Sequence, residues 1–286
     1  MLFEGYYVKI VGKEASLAVV FGRNKNKKER SSFVQIITKD SSFHTTFEYD
    51  DYSLTKKPFK VKINKNIFNK DSMTLNINND NLKVKGSVTF NNLIPIKYDA
   101  MGPFKFFPFM ECKHSVMSMD GSATGSISIN ARSFHFENAR LYIEGDKGRS
   151  FPKRYFWTQC NTFHEVENLS VMASAARIPY LGLKFTGTIC IIHLNGKEYR
   201  LATYLGARVK SFSKNRLIIK QRRKLLEIQS LDTDKNSREL FAPKNGDMNR
   251  IIKENLAATV RYKFSIGKKI IFDVTSNNAA HEFSDT

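Results

Sequence analysis

Apolar and polar residues alternate with a period of two through long stretches of this chain, and no other feature restricts its fold as strongly. Residues 59–63 read Phe-Lys-Val-Lys-Ile, and residues 82–90 place apolar or small side chains on one side and lysines and hydroxyls on the other. Successive side chains of a β-strand point to opposite faces, so the pattern is typical of half-buried strands in antiparallel sheets. The chain is therefore predicted to be all-β.

Turn signals separate these segments. The pair Asn195-Gly196 stands between two apolar runs and predicts a two-residue hairpin turn. Helical spacing is confined to residues 247–256, with Asp247 in the N-cap position, so at most short helices are expected. Many short strands at this spacing are typical of a barrel or sandwich. A chain of 286 residues has room for one large or two ordinary domains.

The formal net charge of +19 leaves three interpretations open. Most of the excess is lysine scattered among Asn and Ile, as the codon bias of an AT-rich bacterial genome would produce; residues 25–30 and 222–224 are the real clusters. This distribution favours a solvated basic face over a nucleic-acid site. Attraction to an anionic membrane surface is the third interpretation, and it would suit a protein whose ligand dissolves in lipid.

The cysteines Cys112, Cys160 and Cys190 are odd in number, far apart and without zinc spacing. Free thiols in a reducing compartment are expected, and no signal peptide is recognised at the start of the chain. The expected location is therefore cytoplasmic, with attachment to the inner face of the membrane as an extension of it. Complete phosphate-loop, zinc-helix and nucleophile-elbow motifs are absent, so we expect neither a metal nor a cofactor.

The segment from 142 to 161, YIEGDKGRSFPKRYFWTQCN, is the densest in chemistry. It holds two acids, Glu144 and Asp146, and the single tryptophan of the chain, Trp157, among other aromatic residues. One interpretation is a strand that crosses a core, with Phe156 on one side and Tyr155 and Trp157 on the other. The alternative is the wall of a ligand pocket.

As a pocket wall, this segment would suit the chemistry of carbocations. Burial raises the pKa of a carboxyl group, so Glu144 or Asp146 could keep a proton near neutral pH. Aromatic faces stabilise a cation by up to about 2 kcal/mol each when water is excluded. A proton donor beside aromatic rings is what protonation of an alkene and capture of the resulting cation require, without a cofactor.

The same segment resembles the tocopherol cyclase family, in which an acid-containing loop leads into a Ser-Phe-Pro turn and an aromatic run ending in Gln-Cys-Asn. The matching residues here are 150–152 and 156–161, and further matches lie at 101–104, 108–112, 187–192 and 198–204. The combination covers the chain well from about Met101 to Val209. Lys147 departs from the pattern, because the family commonly has Trp there. An ammonium group beside Asp146 would keep that carboxylate ionised.

The resemblance implies two consecutive lipocalin-like antiparallel β-barrels or sandwiches, which we divide into residues 1–136 and 137–286. It also implies a prenylated or other lipophilic ligand and, as an enzyme, the closure of a prenyl hydroquinone to a chromanol. Glu144 or Asp146 would be the proton donor. The ligand-contacting residues carried over are Phe151, Tyr155, Phe156, Trp157, Gln159 and Asn161.

Three functions are therefore weighed. The first is a tocopherol-cyclase-like protein that binds and cyclises a prenylated molecule. The second is a non-catalytic barrel that binds a lipid in the same pocket. The third, disfavoured by the scattered charge, is a basic β protein that binds nucleic acid.

Overall fold

The structure is a computed structural model that describes residues 2–27, 29–108, 110–180, 182–232 and 236–285. Strands make up nearly all of its regular structure, and three short 3-10 helices lie at Tyr49–Asp51, Gly102–Phe106 and Thr203–Leu205. The strands are β1 (Phe3–Val11), β2 (Ser16–Lys25), β3 (Arg30–Thr38), β4 (Ser42–Phe47), β5 (Tyr52–Lys56), β6 (Phe59–Ile63), β7 (Asn66–Asn69), β8 (Ser72–Asn78), β9 (Lys83–Asn91), β10 (Cys112–Ser118), β11 (Ser122–Ile129), β12 (Arg132–Gly148), β13 (Arg154–Cys160), β14 (Leu169–Tyr180), β15 (Leu183–Leu194), β16 (Lys197–Ala202), β17 (Arg208–Ser213), β18 (Arg216–Gln221), β19 (Lys224–Ser230), β20 (Ser237–Lys244), β21 (Asp247–Ile266) and β22 (Lys269–Asp285).

The strands form two antiparallel sheets that follow each other along the chain. The first has the order β4-β3-β2-β1-β12-β11-β9-β8-β7-β6-β5, with β10 paired to β12. The second has the order β16-β15-β14-β13-β22-β21-β19-β18-β17, with β20 paired to β21. The prediction of an all-β, two-unit antiparallel architecture is confirmed.

Three hydrophobic clusters hold this architecture together, and the period of two decides which residue joins which. On β1, Val8 and Ile10 enter the core of the first sheet, whereas Tyr7 joins a cluster between the sheets. On β13, Phe156 enters the core of the second sheet, whereas Trp157 joins the cluster between the sheets. Each such buried side chain stabilises the fold by roughly 1.5–3 kcal/mol. Strands β1 and β13 are therefore buried on both faces.

The local predictions had mixed outcomes. The hairpin at Asn195-Gly196 is confirmed, since it joins β15 to β16 with φ angles of 48° and 77°. The helix predicted for residues 247–256 is wrong, because the segment begins β21. Met248 and Ile252 are four residues apart, a spacing that also fits a period of two, and both face the same cavity. Among the described residues, no helix is long and apolar enough to span a membrane.

The division of the chain between the sheets falls after Gly148, where β12 ends, and before Arg154, where β13 begins. The boundary predicted between residues 136 and 137 lies inside β12, whereas the division between the sheets lies between Gly148 and Arg154. The division into two domains itself stays a prediction. One consequence is that the dense segment spans both sheets, with its acids in the first and its aromatic run in the second.

Candidate functional site

A cavity of about 190 Å³ lies between the two sheets and not inside either curled sheet, whose interior is filled by its own core. Strands β1, β2, β3, β10 and β12 contribute one wall, and strands β13, β14, β15, β20, β21 and β22 contribute the other. Most of the lining is apolar or aromatic, including Phe3, Phe33, Met101, Phe151, Ile189 and Leu240. Such a concave, mostly apolar space with a few polar groups is typical of a small-molecule site.

A bulge in β12 aims Glu144 into this cavity. Phe134 and Phe136 face the core of the first sheet, and so do Leu141 and Ile143 farther along the strand. The register against β11 shifts by one residue between these pairs, where Asn138 takes a left-handed φ of 47°. One extra residue in a strand reverses which face the following side chains occupy. Tyr142, Glu144 and Asp146 are thereby turned away from the core, toward the second sheet.

The first wall carries an acid pair with an imidazole between its members. His114 Nδ1 lies 3.1 Å from Asp146 Oδ1, and His114 Nε2 lies 3.5 Å from Glu144 Oε2. The Tyr142 hydroxyl donates to Glu144 Oε2 at 2.6 Å. Burial raises the pKa of Glu144 to about 7, although the His114 cation acts against the rise. The two carboxylates raise the pKa of His114 to about 9 despite its burial.

Lys147 does not pair with Asp146, contrary to what their adjacency in the sequence suggested. Neighbouring residues of a strand point to opposite faces, so Lys147 is exposed while Asp146 lines the cavity and contacts His114. The sequence-based objection to an acid at this site therefore does not apply. A second, more polar chamber of about 340 Å³ adjoins Asp146 and His114, which line both spaces.

The second wall carries a row of polar side chains that cross three neighbouring strands. Trp157 of β13 is the register partner of Glu282 of β22, and Glu282 is the partner of Glu254 of β21. All three residues line the cavity. The Tyr155 hydroxyl donates to Glu282 Oε2 at 2.7 Å, and the Tyr7 hydroxyl donates to Glu254 Oε1 at 2.6 Å. Because Tyr7 belongs to β1, its hydrogen bond joins the two walls.

The carboxyl groups of the second wall are held toward their neutral forms. Burial raises the pKa of Glu254 to about 7, while the Tyr7 hydroxyl and the Lys9 ammonium act against the rise. Burial and the neighbouring Glu254 raise the pKa of Glu282 well above its ordinary value. Two carboxylates that face each other across strands disfavour double ionisation. Among the described residues, neither Glu254 nor Glu282 has an ion-pair partner within 4.0 Å.

One group on the first wall has the composition of a metal site. A ligand atom from each of His114, Glu144 and Asp146 lies within 4.8 Å of the others, and no other such group is found among the described residues. The sequence analysis expected no metal here. A protonated imidazole cannot bind a metal, and the carboxylates favour that protonated form, so a divalent cation and the His114 proton would compete for this place.

Five of the eight predicted site residues line the cavity. They are the acids Glu144 and Asp146 and the aromatic residues Phe151, Tyr155 and Trp157. The Tyr7 and Trp157 rings meet edge to face at 5.8 Å between centroids, so the aromatic surface is continuous across the seam. The roles assigned to these residues stay predictions.

The other three predicted ligand-contacting residues lie elsewhere, and their prediction is corrected here. Phe156 packs in the core of the second sheet, because it alternates with Tyr155 and Trp157. The amide oxygen of Gln159 accepts a hydrogen bond from the buried Lys9 ammonium at 3.1 Å. Asn161 donates to Asp120 Oδ1 at 3.0 Å. The two amides therefore connect the sheets and do not line the cavity.

The site residues that sequence reasoning missed come from distant parts of the chain. His114 and Glu254 each have apolar or sulfur-containing residues two positions away on both sides, so a polar residue on an otherwise apolar strand face is the available signal. That signal does not say which residues meet, because the row across the second wall depends on pairing between strands as far apart as Trp157 and Glu282.

Comparison with protein families supports the resemblance over most of the chain. A family model described as tocopherol cyclase-like matches residues 62–284. A protein described as a probable chloroplastic tocopherol cyclase from Oryza sativa subsp. japonica is 32% identical over 103 residues. These residues are 35% of this chain and 22% of the rice protein, so the match spans about a fifth of that relative.

Solved structures share the fold at low sequence identity. Kievitone hydratase from Nectria haematococca superposes with a TM-score of 0.58 and 12% identity, covering 99% of this chain and 89% of that one. A putative AttH from Nitrosomonas europaea gives a TM-score of 0.57 and 10% identity, covering 100% of this chain and 93% of its own. At these identities the likeness concerns the fold alone, and it supports the two-unit β architecture.

Proposed function

The chain belongs to the tocopherol cyclase-like family, and we propose that it binds a prenylated or similar lipophilic molecule between its sheets and cyclises it by acid catalysis. The observation that carries the proposal is the position of Glu144. This carboxyl group is buried in the wall of an apolar, aromatic cavity, and burial raises its pKa to about 7. An acid whose pKa lies near neutral pH can both hold and release a proton under physiological conditions.

The proposed reaction begins with transfer of the Glu144 proton to one carbon of a prenyl double bond. The electron pair of that bond forms the new C–H bond, and the other carbon becomes a tertiary cation. The rings of Tyr155 and Trp157 line the cavity and would stabilise this cation by roughly 1–2 kcal/mol each. A hydroxyl oxygen of the substrate then forms the C–O bond of the new ring and loses its proton to a carboxylate. Substrate and product are isomers, so no oxidant or reductant is consumed.

The surroundings of Glu144 fit this role. After proton transfer, the carboxylate is stabilised by the Tyr142 hydroxyl and by the His114 cation. His114 and Asp146 also border the polar chamber, where protons can be exchanged with water. A proton entering from that side reaches Glu144 through His114, whose two ring nitrogens face the two acids. Glu144 would thus regain its proton without opening of the apolar cavity.

The test is to incubate the protein with a panel of prenylated hydroquinones in deuterated water. We expect a chromanol product that carries one deuterium at the carbon that was protonated. Glu144→Gln should lower the rate at least about 100-fold, because general acids contribute about 10²- to 10⁴-fold. The matched control is Glu137→Gln, an exposed acid on the same strand, which should leave the rate unchanged.

Binding without catalysis is the competing proposal, and the same samples separate the two. Trp157 is the single tryptophan of the chain and lines the cavity, so its fluorescence reports occupancy. A change of Trp157 emission with no product from any substrate would support the non-catalytic lipid-binding barrel and contradict the cyclase. If no member of the panel changes the emission or gives a product, the proposed function is wrong.

A further inference from the structure

Two polar atoms in the second wall of the cavity are buried and have no hydrogen-bond partner. Glu254 is fully buried, and its Oε1 accepts from the Tyr7 hydroxyl, but its Oε2 has no partner in the protein. Trp157 is 6% exposed, and its indole Nε1 also has none. Leaving such a group unpaired costs about 1–3 kcal/mol, so nearly all buried polar atoms are paired. Both residues line the cavity, where a ligand can supply the missing partner.

The two atoms require opposite hydrogen-bonding roles of that ligand, a donor for Glu254 and an acceptor for Trp157. In its ionised form Glu254 accepts a hydrogen bond at Oε2, so this oxygen pairs with an O–H or N–H group. The indole N–H can only donate, so it calls for a lone pair. A hydroxyl group provides both. The residues stand in one row, since each is a register partner of Glu282 from opposite sides.

The neighbours of this row already have partners of their own. Glu282 accepts from the Tyr155 hydroxyl, and on the facing wall Glu144 accepts from the Tyr142 hydroxyl. Each of the three tyrosine hydroxyls thus donates to one oxygen of one glutamate. Of these glutamates, only Glu254 has a second oxygen that is buried without a partner. In the described part of the chain no cation lies within 4.0 Å of Glu254 to occupy that oxygen.

We propose that Glu254 and Trp157 form the subsite for the hydroxyl group of the substrate, and that Glu254 Oε2 takes the hydroxyl proton when the ring closes. This rests on the proposed function and completes its proton balance. Glu144 on the first wall gives one proton to the alkene carbon, and Glu254 on the second wall receives one from the oxygen. Exchange with water after product release restores both groups.

The arrangement also fixes the direction of the addition. Glu144 and Glu254 lie on facing walls, joined through Tyr7, which is the register partner of Glu144 and the hydrogen-bond donor to Glu254. A substrate between the walls therefore receives its proton from one side and presents its oxygen to the other. The new C–H and C–O bonds are expected on opposite faces of the former double bond.

The test compares 2-geranylphenol with its methyl ether, 2-geranylanisole, in which a methyl group replaces the hydroxyl hydrogen. Binding is measured by calorimetry in a Glu144→Gln background, in which turnover is expected to be at least about 100-fold slower. The phenol should bind about 10- to 100-fold more tightly, because the ether leaves Glu254 Oε2 unpaired. Adding Glu254→Met should bring this ratio close to one. Adding Glu282→Gln is the matched control and should keep the ratio, because Glu282 accepts from Tyr155 and has no oxygen that is buried without a partner.

The outcomes separate this inference from the proposed function. Equal affinity of the phenol and the ether, or a ratio that survives Glu254→Met, overturns the hydroxyl subsite while cavity binding stands. If neither ligand binds, both proposals fail. Where Glu254→Met does not fold, Glu254→Gln in the otherwise unchanged protein provides a kinetic readout. We expect kcat to fall at least about tenfold, with deuterium still entering the protonated carbon of the remaining product. An unchanged kcat would count against proton acceptance by Glu254.

Discussion

The two walls of the cavity hold carboxyl groups of similar acidity in different surroundings. On the first wall, the charge of Glu144 is balanced by His114, and the cluster borders a polar chamber. On the second wall, Glu254 has no contacting cation among the described residues and is fully buried. Burial nevertheless raises the pKa of both groups to about 7. The same pKa therefore does not imply the same function. Only the first wall borders the polar chamber, from which a proton can be replaced while the apolar cavity stays closed, whereas Glu254 exchanges its proton after product release.

This difference suits the two glutamates to separate roles, Glu144 as proton donor and Glu254 as proton acceptor. An acid that must give a proton in every turnover needs a supply, and His114 with Asp146 provides one for Glu144. A group that receives a proton needs a free lone pair, and Glu254 Oε2 provides it. Tyr7 connects the walls through one hydrogen bond of 2.6 Å. The following experiments are arranged from the largest expected effect to the smallest.

Neutral substitutions on the two walls should affect the rate unequally. Glu144→Gln removes the transferable proton, so we expect a loss of at least about 100-fold in kcat. Glu254→Gln keeps an oxygen that can accept a hydrogen bond, so a loss nearer tenfold is expected. The measurement is the steady-state rate of chromanol formation at pH 7. A larger loss in Glu254→Gln than in Glu144→Gln would reverse the assignment of donor and acceptor.

The walls should also titrate in different pH windows. The pKa of Glu254 is raised from 4.5 to about 7, so its stabilising contribution is complete below about pH 4.5 and is lost as the pH rises through 7. The pKa of His114 is raised from 6.5 to about 9, so its contribution is complete below about pH 6.5 and is lost as the pH rises through 9. Each shift corresponds to about 3 kcal/mol at most.

Denaturation curves between pH 4 and 10 check these windows. The difference in free energy of unfolding between the unsubstituted protein and Glu254→Gln should change between about pH 4.5 and 7. The corresponding difference for His114→Gln should change between about pH 6.5 and 9. Coincident windows for the two variants would show that the walls titrate as one group.

Removal of the connecting hydroxyl should give the smallest effect. Tyr7→Phe keeps the ring against Trp157 but removes the donor to Glu254, and a loss of about 1–2 kcal/mol in the free energy of unfolding is expected. Because that hydrogen bond lowers the pKa of Glu254, the pH window of this carboxyl should move upward. Tyr6→Phe is the control, since its hydroxyl contacts Glu4 within the first sheet at 3.4 Å. An unmoved window would mean that Tyr7 does not set the acidity of Glu254.

Much of the fold and half of the site could be predicted from local pattern. Alternation predicts Tyr155 and Trp157 on one face of β13 and Phe156 on the other. The hydrophobic clusters agree, since Tyr155 and Trp157 share one cluster and Phe156 belongs to another. The same rule places Lys147 and Asp146 on opposite faces of β12, so their adjacency in the sequence does not predict an ion pair. The helix predicted at 247–256 failed because residues four apart share a face in both kinds of structure.

The sequence by itself determined the all-β class, the family and the two strand faces of β13, with Tyr155 and Trp157 opposite Phe156. The tertiary structure decided what those faces meet. Alternation carries information only along one strand, whereas the cavity depends on pairings between distant strands and on the bulge at Asn138 that turns Glu144 outward. The opposition of Glu144 to Glu254 exists only once the two sheets have packed, because the desolvation of both groups and the hydrogen bond from Tyr7 to Glu254 arise from that contact.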